Sequence, residues 1–240
     1  MHLRVILPVI GDGFIEHVRT EVEAWALPTT TVSVVSLARG TASIESEYDE
    51  ALSAPGILDR IEECAVDGVD GVFITCFGDP GVHAAREIID APVVGGFEPA
   101  VLTALSLGEK VGIITVLPNV LPMIRGLARR YDVDNRIGTI RVVDIPVLGL
   151  DGDDGILLDR LEEQAVSAIE AGEADVIILG CTGMLGVADA LKARLAGRGF
   201  VVPVVDPTAA AVTWIESSVR MGLTPSRLTY MAPPAKARNL

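Results

Sequence analysis

The sequence predicts an α/β protein of two similar lobes, each a parallel sheet covered by helices. Three observations carry that prediction. Short apolar runs rich in β-branched residues alternate with amphipathic stretches along the 240 residues, the pattern of strands buried on both faces. Two of these runs, Gly71-Val72-Phe73-Ile74-Thr75-Cys76 and Val176-Ile177-Ile178-Leu179-Gly180-Cys181, deliver a cysteine at their C-terminal end and pass into a glycine-containing turn. Each is then followed by a matching segment, Pro92-Val93-Val94-Gly95 after the first and Pro203-Val204-Val205-Asp206 after the second, that leads into a helical pattern. The two thiols stand 105 positions apart, about the length of one small domain.

Taken in order, residues 3–7 read as a first strand and 14–25 as a helix with Asp12 as its N-cap. Residues 32–36 give a second strand, 38–48 a polar loop and about 50–65 a helix. The strand at 71–75 leads to a helix near 82–89, a short buried strand at 92–95 and a helix at 99–107. A strand at 111–115 and a helix at 118–130 follow, with Pro118 in its first turn and Pro122 a candidate kink. Then come a strand at 140–144, an amphipathic helix at 156–171, the strand at 176–180, a helix at about 185–195, a strand at 201–205 and a last helix at 209–221. The Pro- and Lys/Arg-containing remainder, 224–240, reads as an arm or tail. These elements assemble into two Rossmann-like lobes related by a pseudo-two-fold, with the active site between them. Residues 1–97 and 207–240 form the lobe carrying Cys76, and 98–206 the lobe carrying Cys181.

Composition narrows the function. Half the residues are hydrophobic but only 4% are aromatic, so Val, Ile, Leu and Ala fill the interior. A formal net charge of −14 repels nucleic acid and anionic lipid. The first residues lack the pattern of a secretion signal, and Pro or charged residues break each apolar run before it reaches a membrane span. A cytoplasmic protein is expected. Three cysteines, an odd number, read as free thiols rather than a disulfide framework. His2, His17 and His83 are scattered without metal-ligand spacing. His83, a few residues after Cys76, reads as a solvated first-turn histidine. Neither Lys110 nor Lys192 is placed for a pyridoxal Schiff base. Gly11-Asp12-Gly13 lacks the third glycine of a dinucleotide fingerprint. The acidic loop at 151–155 lacks the closing glutamate of a calcium loop, and Asp154 reads as a helix cap. No cofactor and no metal are expected.

The chemistry therefore rests on Cys76 and Cys181. Ligands of open α/β sheets bind at the C-terminal ends of the strands, where both thiols fall. A thiol has an unperturbed pKa of ~8.5, and helix N-termini or nearby donors lower it. One thiolate can remove a proton from one face of a carbon while the other thiol returns one to the opposite face, which inverts configuration. The enolate between the two steps needs oxyanion donors, for which the amides of Gly78 and Thr182-Gly183 are the candidates. Cys64 sits inside a helical pattern, Ile61-Glu62-Glu63-Cys64-Ala65, and reads as a buried small hydrophobe.

Three stretches carry a resemblance: Ser43-Ile44-Glu45-Ser46-Glu47-Tyr48-Asp49-Glu50, Thr75-Cys76-Phe77-Gly78-Asp79-Pro80-Gly81 and Leu179-Gly180-Cys181-Thr182-Gly183-Met184. In these the chain resembles the aspartate/glutamate/hydantoin racemase superfamily, and most closely the hydantoin racemases. The resemblance runs to about Met221. It implies a cofactor-independent mechanism with Cys76 and Cys181 as the acid/base pair. It also implies a pocket lined by the Ser43–Ile44 loop, with Thr75, Phe77, Gly78, Asp79, Gly180, Thr182, Gly183 and Pro8 around the substrate. Glu98 is implied near the lobe junction, and a homo-oligomer is implied. One departure stands out. The first strand of the family usually ends in an Asn-Pro-Asn motif, and here the stretch is Leu7-Pro8-Val9-Ile10-Gly11, which implies a less polar or differently functionalised substrate. The reading is thus a racemase of 5-substituted hydantoins or a related cyclic amide. The alternatives are a racemase of acidic amino acids or allantoin, another isomerase or decarboxylase of the superfamily, and a non-catalytic binding protein of the same fold.

Overall fold

The computed structural model describes residues 1–150 and 154–237. The first sheet has the order β2-β1-β3-β4 and the second β6-β5-β7-β8, all pairs parallel. The strands are β1 (His2–Ile10), β2 (Thr31–Leu37), β3 (Gly71–Ile74) and β4 (Val93–Val94), then β5 (Val111–Thr115), β6 (Ile137–Val142), β7 (Val176–Leu179) and β8 (Val204–Val205). The two sheets repeat each other in register. Val72 pairs with Val93 and Phe73 with Val94 in the first, and Ile177 with Val204 and Ile178 with Val205 in the second. The β3 and β7 residues of this correspondence again lie 105 positions apart, while those of β4 and β8 lie 111 apart.

Helices α1 (Ile15–Trp25), α2 (Glu47–Asp67), α3 (Val82–Ile88) and α4 (Phe97–Leu105) precede α5 (Leu121–Arg130), α6 (Asp154–Glu170), α7 (Ala188–Gly197) and α8 (Pro207–Arg220). The chain passes to the second sheet after β4, where α4 packs on β5 and β7. It returns after β8, where α8 packs on α1 and β3. Burial explains why the pattern was readable. Every residue of β3, β5 and β7 is buried, so these strands read as unbroken apolar runs.

Several boundaries differ from expectation, each for a local reason. β1 extends to Ile10, and its pairing with β2 shifts register between Ile6 and Ile10, around Pro8, which has no N–H for the ladder. β6 lies at Ile137–Val142 rather than 140–144. It is an edge strand with no fully buried residue, so no apolar run marks it. β8 keeps only two residues because Pro203 cannot donate; its carbonyl still accepts from Ile177 N at 2.9 Å. Pro122 does not kink α5 but sits in its first turn, after a 3-10 turn at Pro118–Val120. α2 starts at Glu47 because Ser46 caps it, accepting from Asp49 N at 3.2 Å. Asp12 does not cap α1, whose N-cap is Phe14; its carboxylate accepts from Ser36 Oγ at 2.8 Å. The tail is tied down. Arg227 donates to the last carbonyls of α3, Arg86 O and Glu87 O, and to Asp90, where a cation suits a helix C-terminus. The acidic loop at 151–153 and the side chain of Asp154 lie outside the described residues. No helix among the described residues is long and apolar enough to cross a membrane.

Candidate active site

Cys76 and Cys181 leave β3 and β7 at their C-terminal ends and both line one cleft between the sheets, of about 900 Å³ with its open mouth included. The local geometry of the two is the same. The amide of Gly78 donates to Cys76 Sγ at 3.4 Å and the amide of Gly183 to Cys181 Sγ at 3.3 Å. These donors act on the sulfurs, in the place expected for oxyanion donors. Neither thiol stands directly at a helix N-terminus, since α3 begins at Val82 and α7 at Ala188. Burial dominates instead. It pushes the Cys181 thiol up to about 11 against the Gly183 amide, with the Glu45 carboxylate adding to the rise. Burial pushes Cys76 higher still, and the neighbouring Cys181, Glu50 and Asp79 reinforce it while the Gly78 amide opposes it. The expectation of lowered thiol pKa values is thus reversed, and both are pushed up.

The remaining predicted residues divide. Pro8, Ile44, Thr75, Phe77, Gly78, Gly180, Thr182 and Gly183 line the cleft. Ser43 does not, although its neighbours Ala42 and Ile44 do; its carbonyl is turned to Thr41 Oγ1 at 2.7 Å. Asp79 does not face the cleft either. It is 5% exposed, and its carboxylate accepts from Phe97 N at 2.8 Å, Glu98 N at 3.2 Å and Tyr131 OH at 3.3 Å. Its backbone is left-handed, φ 50°, and a side chain at Gly95 would collide with its carboxylate. Burial pushes its pKa up to about 7 against those amides. Asp79 thus ties the Cys76 loop to the start of α4 and to the end of α5.

Glu98 lies at this junction, paired with Arg86, which also donates to Tyr230 OH at 3.2 Å. His83 is in the first turn of α3, as expected, but only half-exposed. Its ring packs between Tyr131 and Tyr230 and its Nε2 is buried without a hydrogen-bond partner among the described residues. Burial, together with Arg130 and Arg86, holds its pKa down to about 4.

Most of the cleft wall consists of residues the sequence did not single out, among them Val9, Phe14, Val120, Met123, Ile124 and Val147. Nothing in their type separates a cleft wall from a core. The one available signal was the departure at Leu7-Pro8-Val9, which turns apolar groups toward the substrate space. Among the described residues no Lys, Arg, Asp or Glu lines the cleft, and no group of three or more His, Cys, Asp or Glu could hold a metal ion.

Two parallel sheets that each deliver one thiol at a strand end to a shared cleft define a two-lobed α/β protein with a candidate two-thiol site between its lobes. A family model of the Asp/Glu/hydantoin racemases matches residues 5–215. A hydantoin racemase of Pseudomonas sp. (strain NS671) is 37% identical over 237 residues, 98% of this chain and 93% of that protein. A hydantoin racemase of Rhizobium meliloti is 36% identical, over 93% of this chain and 87% of that protein. The solved allantoin racemase from Klebsiella pneumoniae superposes with a TM-score of 0.92 at 34% identity, covering 100% of this chain and 96% of that one. The chain belongs to the Asp/Glu/hydantoin racemase family and is an enzyme of the isomerase class, which sets aside the reading of a non-catalytic binding protein.

Proposed function

We propose that the protein interconverts the enantiomers of 5-monosubstituted hydantoins that carry an apolar substituent, by proton transfer between Cys76 and Cys181. The observation that carries this is the placement of one thiol from each lobe in a single cleft whose described wall is mostly apolar, with Thr75, Thr115 and Thr182 as its polar side chains. C5 of a hydantoin bears a proton next to a ring carbonyl. One sulfur, as thiolate, takes that proton, and the electron pair passes into the carbonyl to form an enolate. The other thiol delivers its proton to the opposite face of C5 and is left as the thiolate, ready for the reverse reaction. The Gly78 and Gly183 amides stabilise whichever sulfur is charged. The buried hydroxyls of Thr75 and Thr182 on the cleft wall serve the enolate oxygen and the ring.

A dicarboxylate or acidic amino acid calls for cationic partners, and among the described residues no Lys or Arg lines the cleft. A decarboxylase needs one thiol, and two are present. Allantoin is a hydantoin with a polar ureido group at C5. The likeness to an allantoin racemase keeps it as the second reading, and the apolar wall ranks it below alkyl and aryl hydantoins. A panel in deuterium oxide tests this, with polarimetry and mass spectrometry on 5-benzylhydantoin, 5-isobutylhydantoin, allantoin and glutamate. The apolar hydantoins should racemise with deuterium entering C5, allantoin about tenfold or more slowly, as expected for the loss of one buried apolar group, and glutamate not at all. Turnover of allantoin or glutamate without turnover of the apolar hydantoins would sink the proposal.

A further inference from the structure

Residues 42–45 form a strap that leaves the first lobe and crosses to the second. Its ends are fixed. Thr41 O accepts from Ile10 N at 2.9 Å, and Ser46 begins α2 as its cap. Between them Ile44, 8% exposed, joins the hydrophobic core of the second lobe rather than that of its own. Glu45 then reaches across. Its Oε1 accepts from Val147 N at 2.6 Å, the amide that opens the 3-10 turn Val147–Gly149. Ile44 and Val147 both line the cleft, and the Glu45 carboxylate is close enough to act on the Cys181 thiol. The proposed proton transfer assigns Glu45 no part.

We infer that Glu45 is a positioning residue: its bond to the Val147 amide latches the strap to the second lobe, closing the cleft over the substrate and shielding Cys181. A carboxylate on a backbone amide makes a short, charge-assisted hydrogen bond. Glu45 is only half-buried, so the latch can be broken without unpacking either core. Ile44 supplies the apolar half of the same anchor. The kinetic part of this inference rests on the proposed racemisation; the structural part does not.

Three variants test it. Glu45→Ala removes both latch and charge, and Glu45→Gln keeps an acceptor but loses the charge. Val147→Pro removes the amide donor while Glu45 stays. Proline suits that position, because Pro146 already has the extended backbone (φ −60°, ψ 152°) that a residue before proline favours, and Val147 is the first residue of its turn. Labelling of each cysteine by iodoacetamide is followed by peptide mass spectrometry, beside kcat and KM on a hydantoin. Glu45→Ala and Val147→Pro should each label Cys181 about tenfold faster and raise KM about tenfold with a smaller change in kcat, the scale of one lost charge-assisted hydrogen bond. Cys64 labelling should stay unchanged, Glu45→Gln should fall between, and the double variant should be no worse than either single one.

Val147→Pro separates the latch from the charge, and it stands as the test should Glu45→Ala fail to fold. Wild-type Cys181 labelling in a folded Val147→Pro protein, additive effects, or an equal rise at Cys64 would each overturn the inference. Faster labelling of Cys181 together with no turnover of any hydantoin would leave the latch standing and remove the proposed substrate instead.

Discussion

The loops after Cys76 and Cys181 start alike and are held by different forces. Both turn so that the amide two residues on meets the sulfur. The next residue is Asp79 in one loop and Met184 in the other, each buried. Asp79 reaches out of its loop to hold two amides of α4 and the hydroxyl of Tyr131. Met184 simply joins the apolar core of the second lobe. The residue before each thiol differs as well. Thr75 lines the cleft, while Gly180 sits where a side chain would strike Ile113 and Thr115, and its carbonyl accepts from Thr115 Oγ1 at 2.8 Å. A duplicated backbone therefore presents two chemically similar thiols in unequal surroundings. The Cys76 loop is fixed by polar contacts that span the lobe junction. The Cys181 loop is fixed mainly by apolar packing, with Met184 in the core of the second lobe and Thr182 against Gly96.

Replacing each thiol tests the comparison most severely. Cys76→Ser and Cys181→Ser should each lower racemisation by about 10³-fold, within the range for loss of a general acid or base. If the two thiols serve opposite faces, each variant should still exchange deuterium into one enantiomer only, and the two variants should choose opposite enantiomers by NMR. Exchange into the same enantiomer by both would break the two-sided scheme.

The next effect is on stability. Asp79→Ala strands the buried amides of Phe97 and Glu98 and should lower the unfolding free energy by about 2–4 kcal/mol, from about 1–3 for each unsatisfied group. Asp79→Asn keeps an acceptor and tolerates the left-handed backbone, so it should cost about 1 kcal/mol. Calorimetry decides between them, and equal losses for the two variants would deny Asp79 its clamping role.

The pH profile distinguishes the thiols more finely. A thiol whose pKa lies above the working pH is thiolate only in small fraction, and that fraction grows as pH rises toward the pKa. With Cys181 pushed up to about 11 and Cys76 higher, the first proton leaves Cys181. In wild type, kcat/KM should then rise about tenfold per pH unit between about pH 7 and 9. A plateau in that window would mean that the amide donors outweigh burial. The smallest effect belongs to the third thiol. Cys64 is buried in α2 away from the cleft, and Cys64→Ala should cost about 1 kcal/mol of stability with no change in racemisation rate.

Much of this site was legible because buried parallel strands leave an unmistakable trace. β3 and β7 are apolar throughout, so their ends, and the cysteines on them, could be located from residue type alone. The glycines two positions later were legible too, as turns whose amides act on charge. The resemblance put Asp79 beside the substrate, and the structure turns its carboxylate away from the cleft. Only the position of Phe97 and Glu98, nearly twenty residues on, turns it inward. His83 is half-buried rather than fully solvated because Tyr131 and Tyr230, which flank its ring, come from far along the chain. Asp12 and Ser36 meet across a loop, which diverts a good capping residue from the helix beside it.

By itself the sequence determined the alternation of strand and helix, the internal repeat of segments and the chain position of both thiols, since these depend on local periodicity and on which residues a strand can bury. The tertiary structure alone decided that Val9, Met123 and Ile124 wall a cleft rather than fill a core, that Glu45 reaches the second lobe, and that burial pushes both thiol pKa values up. Those outcomes depend on distances between segments far apart in the chain and on the water excluded between them, and neither quantity is written in any single stretch of residues.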